Sequence, residues 1–195
     1  LVWSAEPNRW VVEEVAGLTP GEALDLACGE GRNSLWLAER GWTVTGIDFS
    51  TVALARAARL ADERGGQVAS RVRWLASDVT AYEPRPASFD LVLVSYLHLP
   101  APERRRTLRR AAGALRRGGH LVVVAHDSTN LAAGSGGPSD PAVLYTAQDV
   151  LDDVLGTPHG ADPAVDGLEV VRAEAVRRPT ESGTAIDALA HLRRA

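Results

Sequence analysis

The stretch ALDLACGEGRNSLWLAERGWTVTGIDFS, residues 23–50, decides how this chain is read. Ala23 to Leu26 is short and apolar, as a strand covered on both faces should be. Ala27, Gly29 and Gly31 then carry little or no side chain, so the backbone can turn tightly and a ligand can approach it. A helix over Asn33–Arg40 follows, closed by Gly41, and Thr43–Ile47 is a second strand. Strand, tight loop, helix and strand make a βαβ unit. Ligands of open α/β sheets sit beyond the carboxyl ends of the strands, where this loop lies, and the start of the helix presents free N–H groups there.

Outward from this unit the same alternation continues. Ahead of it, Pro7 to Gly17 reads as a helix with proline in its first turn and glycine past its end. After it, Ser50 caps a long helix reaching Arg64, with Val52, Leu54, Ala55, Ala58 and Ala61 as its apolar face, and Gly65-Gly66 stops it. Strands are expected at Val72–Ala76, Asp90–Ser95 and His120–Ala125, with an arginine-rich helix over Ala101–Arg117. Residues 132–141 and 156–167 are rich in Gly, Ser or Pro and read as loops, and Thr146 caps a helix ending at Leu155. Leu168–Arg177 and Thr184–Arg193 form a final hairpin through Pro179–Gly183. The pattern predicts one domain over residues 1–195: a Rossmann-like three-layer α/β/α sandwich with a mainly parallel seven-stranded sheet and an antiparallel C-terminal strand. That antiparallel strand would separate it from an ordinary dinucleotide-binding fold.

Composition removes several chemistries. The chain has 195 residues, 45% of them apolar, enough for one sizeable core. Its one cysteine, Cys28, forbids an internal disulfide, and a reducing, cytoplasmic setting is expected. The chain contains no methionine, so residues before Leu1 are expected. The longest apolar run, Phe89–Pro100, is interrupted by Asp90 and His98 and falls short of the roughly 20 residues of a membrane span. All 21 basic residues are arginine, which excludes Schiff-base, pyridoxal phosphate and P-loop lysine chemistry. A net charge of −4 argues against a nonspecific nucleic-acid binder. Arginines 104–106, 109, 110, 116 and 117 recur at helical spacing and read as a solvated face.

Three acids end three successive strands: Asp25, Asp48 and Asp78. Asp48 stands where a carboxylate can accept hydrogen bonds from both ribose hydroxyls, which nicotinamide enzymes also use. Gly29-x-Gly31-x-x-Ser34 is one residue short of the dinucleotide motif, so an NAD(P)-dependent oxidoreductase stays open on this loop alone. Asp78, within Ala76-Ser77-Asp78-Val79, discriminates, because a carboxylate there can accept from an adenine amino group while the next backbone N–H donates to the ring.

Residues 23–50 resemble the first two motifs of class I S-adenosylmethionine-dependent methyltransferases, most of all the small tellurite-resistance and thiopurine methyltransferase-like group. The resemblance extends over about residues 1–126. It implies that Asp25, Ala27, Gly29 and Gly31 line the methionine moiety of S-adenosylmethionine and that Asp48 holds its ribose. Phe49 would flank the adenine, Ser77, Asp78 and Val79 would read its edge, and Ser95 with Tyr96 would approach the sulfonium. Ala27 replaces the usual first glycine of the loop, acceptable if φ is negative there. Trp3, in a segment resembling the cofactor cover of that group, would close the site over residues 1–20 or anchor the first helix; Trp10 reads as a core residue.

Methyl transfer is an in-line displacement that needs alignment and dryness more than a base. His98 and His126 follow the fourth and fifth strands at the ligand edge, and each is a candidate base or acceptor ligand, or a packed histidine. His120, His159 and His191 receive no role, and Cys28 reads as a small packed side chain. The Ser95-Tyr96-Leu97-His98 segment lacks the tetrad of nucleic-acid amino-methylating enzymes. A small-molecule acceptor is therefore expected, held by residues 127–167 with Tyr145, with no metal, nucleic acid or membrane partner. A protein that binds S-adenosylmethionine without catalysis is the remaining alternative.

Overall fold

The computed structural model describes residues 6–156, 167–181 and 183–195. Helix α1 (Arg9–Val15) leads to strand β1 (Glu22–Leu26), helix α2 (Arg32–Glu39), strand β2 (Thr43–Asp48) and helix α3 (Thr51–Glu63). A single turn, α4 (Gly66–Ala69), precedes β3 (Val72–Ala76) and β4 (Phe89–Ser95), followed by α5 (Ala101–Gly113) and β5 (Leu115–His126). Helices α6 (Asn130–Ala133) and α7 (Ala147–Leu155) and the hairpin β6 (Leu168–Thr180) and β7 (Gly183–Arg194) complete the chain.

The sheet runs β3-β2-β1-β4-β5-β7-β6. β1 to β5 pair in parallel, and β7 lies antiparallel between β5 and β6. This is the expected sheet, with its one reversed strand. Because successive side chains point to opposite faces, each strand feeds two cores. Leu24, Leu26, Val92, Val94, Leu121 and Val123 pack with Leu108 of α5 and Val150 and Val154 of α7. Ala23, Leu91, Leu93, Val122 and Val124 pack on the other face with Trp10 and Val11 of α1 and Leu35 and Leu37 of α2. Leu24, Leu93 and Leu121 are fully buried, each contributing about 1.5–3 kcal/mol. Among the described residues no helix is long and apolar enough to cross a membrane.

Three local expectations change. Helix α1 begins after Asn8, not Pro7, because the Asn8 side chain accepts from the N–H groups of Trp10 and Val11. Helix α3 buries Leu54, Ala57 and Ala61, whereas Val52 is 66% exposed, so half of the expected apolar face looks outward. Helix α5 ends at Gly113 instead of Arg117, since Leu115 is fully buried and pairs with Phe89. Arg116 is meanwhile held to Asp90 at 2.7 Å, which binds this segment to the sheet edge.

Candidate active site at the carboxyl ends of the strands

The loop after β1 is shaped by two glycines with different surroundings. Gly31 has φ +80°, and a Cβ added there would meet the Trp74 ring at 2.5 Å, so packing requires glycine. Gly29 has φ +55° and opens onto free space, with nothing within 4 Å of an added Cβ. Ala27 also has φ +58°, so the negative φ that would make an alanine easily acceptable there is not met. The loop needs the left-handed conformation at this position, so the alanine carries local strain.

Asp25 is 1% exposed, and its Oδ2 accepts from Ser34 Oγ on α2 at 2.6 Å. Its Oδ1 is buried without a hydrogen-bond partner. Burial raises its pKa to about 6, opposed in part by the Ser34 bond and by Arg32. Asp48, buried at the end of β2, accepts from the Gly29 N–H at 2.8 Å and from the Ser50 N–H at 2.9 Å. It thereby ties the first loop to the second, and each oxygen keeps acceptor capacity. The Ser77 N–H donates to the Asp48 carbonyl at 3.0 Å, so the end of β3 joins the same edge. Asp78 is exposed, with Oδ1 engaged by the N–H and hydroxyl of Thr80, each at 2.8 Å, which hold its pKa down. Val79 turns its side chain into the core, and Phe49 stands 81% exposed beyond β2. The loop and Asp48 therefore meet, while Asp78 and Phe49 lie at an open rim. The groups fit a nucleoside carrying an amino-acid end: an open cradle at Gly29, an unpartnered buried carboxylate oxygen, and a second carboxylate with capacity to spare.

Cys28 is buried beside Asp25 and Asp48, and burial first, then their charge, pushes its thiol pKa well up. It is a packed side chain, not an activated nucleophile.

Beyond β4 and β5 four rings gather. Tyr96 and His126 have centroids 5.0 Å apart, His98 and His126 5.5 Å, and His98 and Tyr145 6.2 Å. Both ring nitrogens of His98, Nδ1 of His126 and Oγ of Ser95 are buried without hydrogen-bond partners. Burial, then His126, lowers the His98 pKa to about 4. Burial also lowers that of His126, against the pull of Asp187. Both rings are therefore neutral near pH 7, with lone pairs open to a hydrogen-bond donor. The Tyr145 hydroxyl donates to the Leu97 carbonyl at 2.9 Å, which fixes the ring under His98.

The residue that organises this half is Asp187, fully buried on β7 opposite His126. Its Oδ2 accepts from Trp10 Nε1 at 3.1 Å, the Tyr96 hydroxyl at 3.0 Å and Arg178 Nε at 2.9 Å, and its Oδ1 lies 3.5 Å from His126 Nδ1. The Tyr96 hydroxyl also accepts from Asn8 Nδ2 at 3.1 Å, and Tyr96 itself holds φ +55°. Sequence reading passed over Asp187 and Arg178. The signal was an acid inside the apolar run Ala185–Ala190, since a buried charge has to be paired. Trp3 lies outside the described residues, as do His159 and most of the 156–167 loop. Trp10 is buried as expected, with an indole hydrogen bond to Asp187 besides. Among the described residues no group of three or more His, Cys, Asp or Glu side chains is arranged to hold a metal ion.

A methyltransferase domain model matches residues 23–119, which include this loop and the ends of β1 to β4. Glycine N-methyltransferase of Oryctolagus cuniculus is 30% identical over 165 residues, covering 77% of this chain and 56% of the relative. The chain thus spans little more than half the length of that enzyme. A SAM-dependent methyltransferase from Methanosarcina mazei superposes with a TM-score of 0.72 at 17% identity, covering 97% of this chain and 98% of that one. TehB from Haemophilus influenzae superposes with a TM-score of 0.72 at 18% identity, covering 95% of this chain and 61% of that one. The chain thus carries a methyltransferase domain over residues 23–119, and its sheet with the reversed β7 has the fold of the class I, Rossmann-like S-adenosylmethionine-dependent methyltransferases.

Proposed function

We propose that this protein transfers a methyl group from S-adenosylmethionine to a small-molecule acceptor. The observation that carries the reading is the continuous edge formed by the unpartnered Asp25 Oδ1, the open Gly29 and the Asp48 carboxylate at adjacent strand ends. When bound, S-adenosylmethionine supplies a methyl group already activated on a sulfonium. Asp25, Ala27, Gly29 and Gly31 hold its amino-acid end, and Asp48 takes the ribose hydroxyls by charge-assisted hydrogen bonds worth roughly 1.5–3 kcal/mol. Phe49 covers one adenine face, while Ser77, Asp78 and Val79 meet its edge. Ser95 and Tyr96 stand at the transfer point.

The acceptor side is the ring cluster, with residues from 127 onward around Tyr145. His98 and His126, both neutral, orient the acceptor and receive its proton where it has one to lose. Asp187 positions His126 and Tyr96 through its contacts and does not itself meet the acceptor. Asn8, which donates to the Tyr96 hydroxyl, brings the segment ahead of α1 against the site and helps to exclude water. All of this lies in one domain spanning residues 1–195.

Two measurements test the reading. Calorimetric titration with S-adenosylhomocysteine should show micromolar binding, weakened at least tenfold by Asp48→Ala; a native protein that takes up no heat ends the proposal. A metabolite extract incubated with methyl-labelled donor should then yield a labelled small molecule. Binding without any labelled product would favour a non-catalytic role.

A further inference from the structure

Three of the four steps between successive parallel strands carry a helix; the step from β3 to β4, residues 77–88, carries none. Helices normally cover both faces of such a sheet, and its inner strands are then apolar throughout. Here α2 and α3 pack on β2 and β3 from one side. On the other face Ile47 and Leu75 still reach the core, but the residues before them are polar. Thr43 and Thr45 stand there on β2, with Arg73 of β3 level with Thr45 and Arg71 just ahead of the strand. Together with Arg85 from the connection and Arg116 from β5 they line a groove of about 480 Å³. Sites for small molecules measure roughly 300–1,000 Å³, so the groove has their size.

Its four arginines face one lining acid, Glu22. Asp90, just behind, binds Arg116 at 2.7 Å and accepts from the Glu22 N–H at 2.8 Å, which holds it in place. Arg71 donates to the uncharged Gly41 carbonyl at 3.0 Å, while Arg73 and Arg85 are exposed and form no ion pair among the described residues. Four guanidinium groups against two carboxylates leave two positive charges over, in a chain whose net charge is −4. The arginines of α5 differ. Arg105 is bound by Asp153, Arg109 by the Asp153 and Gly156 carbonyls, and Arg110 by the Thr80 carbonyl and Glu83. Those groups brace α5 against its neighbours, whereas the charges of the groove are left for solvent or a ligand. A phosphate group carries about −1.5 to −2 near pH 7, which matches the excess. Guanidinium forks bind its oxygens in pairs, and the Thr43 and Thr45 hydroxyls add donors.

We propose that the groove at the amino-terminal ends of β2 and β3 binds the phosphate group of a small molecule through Arg71, Arg73 and Arg85. It lies at the opposite edge of the sheet from the methyl-transfer site and does not depend on that reading.

The test is calorimetric titration at constant, near-physiological ionic strength with inorganic phosphate, pyrophosphate, ribose 5-phosphate and a short single-stranded oligonucleotide. The wild type is compared with the pair Arg73→Gln and Arg85→Gln. A control pair, Arg59→Gln and Arg106→Gln, removes the same charge from exposed positions on α3 and α5. Melting curves verify that each variant folds, and Arg85→Gln alone, in the connection, replaces the groove pair if that pair does not. A phosphate-bearing small molecule should bind the wild type, at least tenfold more weakly to the groove pair, at least threefold more weakly to Arg85→Gln alone, and within twofold to the control pair. Tighter binding of ribose 5-phosphate than of inorganic phosphate assigns the groove to an organic phosphate, and tightest binding of pyrophosphate assigns it to a diphosphate. The proposal is overturned if none of the three small phosphates binds, if both pairs lose affinity equally, or if only the oligonucleotide binds, which would make the groove a nucleic-acid contact. None of these readouts uses the methyl donor, so failure here leaves the methyl-transfer reading standing.

Discussion

The two ends of β5 carry two histidine pairs, and they behave as opposites. At its amino-terminal half, His120 Nδ1 meets His191 Nε2 at 2.8 Å, and His191 Nδ1 meets Glu14 Oε2 at 2.7 Å. Glu14 Oε1 in turn holds Arg172 Nη1 at 2.6 Å, so donors and acceptors close into a chain. At the carboxyl end, His98 and His126 lie 5.5 Å apart with three ring nitrogens unpartnered. Both pairs are partly buried and rich in titratable groups, so neither burial nor residue type distinguishes them. Unmet hydrogen bonding does. Leaving a buried polar group unpaired costs about 1–3 kcal/mol, and a fold keeps such groups where a ligand completes them.

The comparison can be broken by substitution, beginning with the largest effect. Asp187→Ala leaves Arg178, Trp10 Nε1 and the Tyr96 hydroxyl without their shared acceptor, and should cost about 3–5 kcal/mol in urea unfolding. Next, His98→Asn or His126→Asn should change stability by less than about 1 kcal/mol yet lower labelled-product formation about 100-fold. His191→Asn should do the reverse, costing about 1–3 kcal/mol while S-adenosylhomocysteine affinity stays within about twofold. Swapped outcomes for the two ends would abolish the distinction drawn between them.

Asp25 gives a pH test. Its folded-state pKa is about 6 against 3.8 for the free carboxyl, so between these values the native state binds more protons than the unfolded one. Stability from this group is therefore lost as pH rises through that window, by at most about 3 kcal/mol. Asp25→Asn should raise the melting temperature at pH 8, change it little at pH 4, and weaken S-adenosylhomocysteine binding at least tenfold. His98 has the opposite sign. Its pKa is lowered to about 4 from 6.5, so its contribution is present above that window and fades as pH falls through it. If His98 is the proton acceptor, product formation should persist down to about pH 4–5, where a free histidine would already be charged. The smallest expected effect is Ala27→Gly, which relieves the left-handed φ of +58° and should add about 0.5–1 kcal/mol in denaturant titration.

What could be read in advance follows the range of the interactions involved. Ser50 caps α3 through a bond to the Ala53 N–H at 3.2 Å, three residues away, and such local chemistry is written in consecutive letters. The alternation of the strands, the small loop after β1 and the C-terminal hairpin are also local, so the sheet and the place of that loop at its carboxyl edge were legible. Val52 was misplaced because periodicity alone does not say where a neighbouring layer ends. Asp78 stood where expected, but its engagement with Thr80 and its exposure depend on how the β3 loop lies on the edge. The φ of Ala27 could not be read in advance because it is imposed by the turn.

By itself, then, the sequence determined the order of elements, the class of fold and the three acids that end β1, β2 and β3, since all arise from spacing and backbone preference. Only the tertiary structure decided which polar atoms find partners. The Trp10 to Asp187 bond closes across 177 residues, and that of Tyr96 across 91. Whether Asp25, His98 and His126 are satisfied depends on such distant encounters, which no local pattern records. The difference between a packed histidine and one awaiting a ligand is therefore a property of the assembled fold.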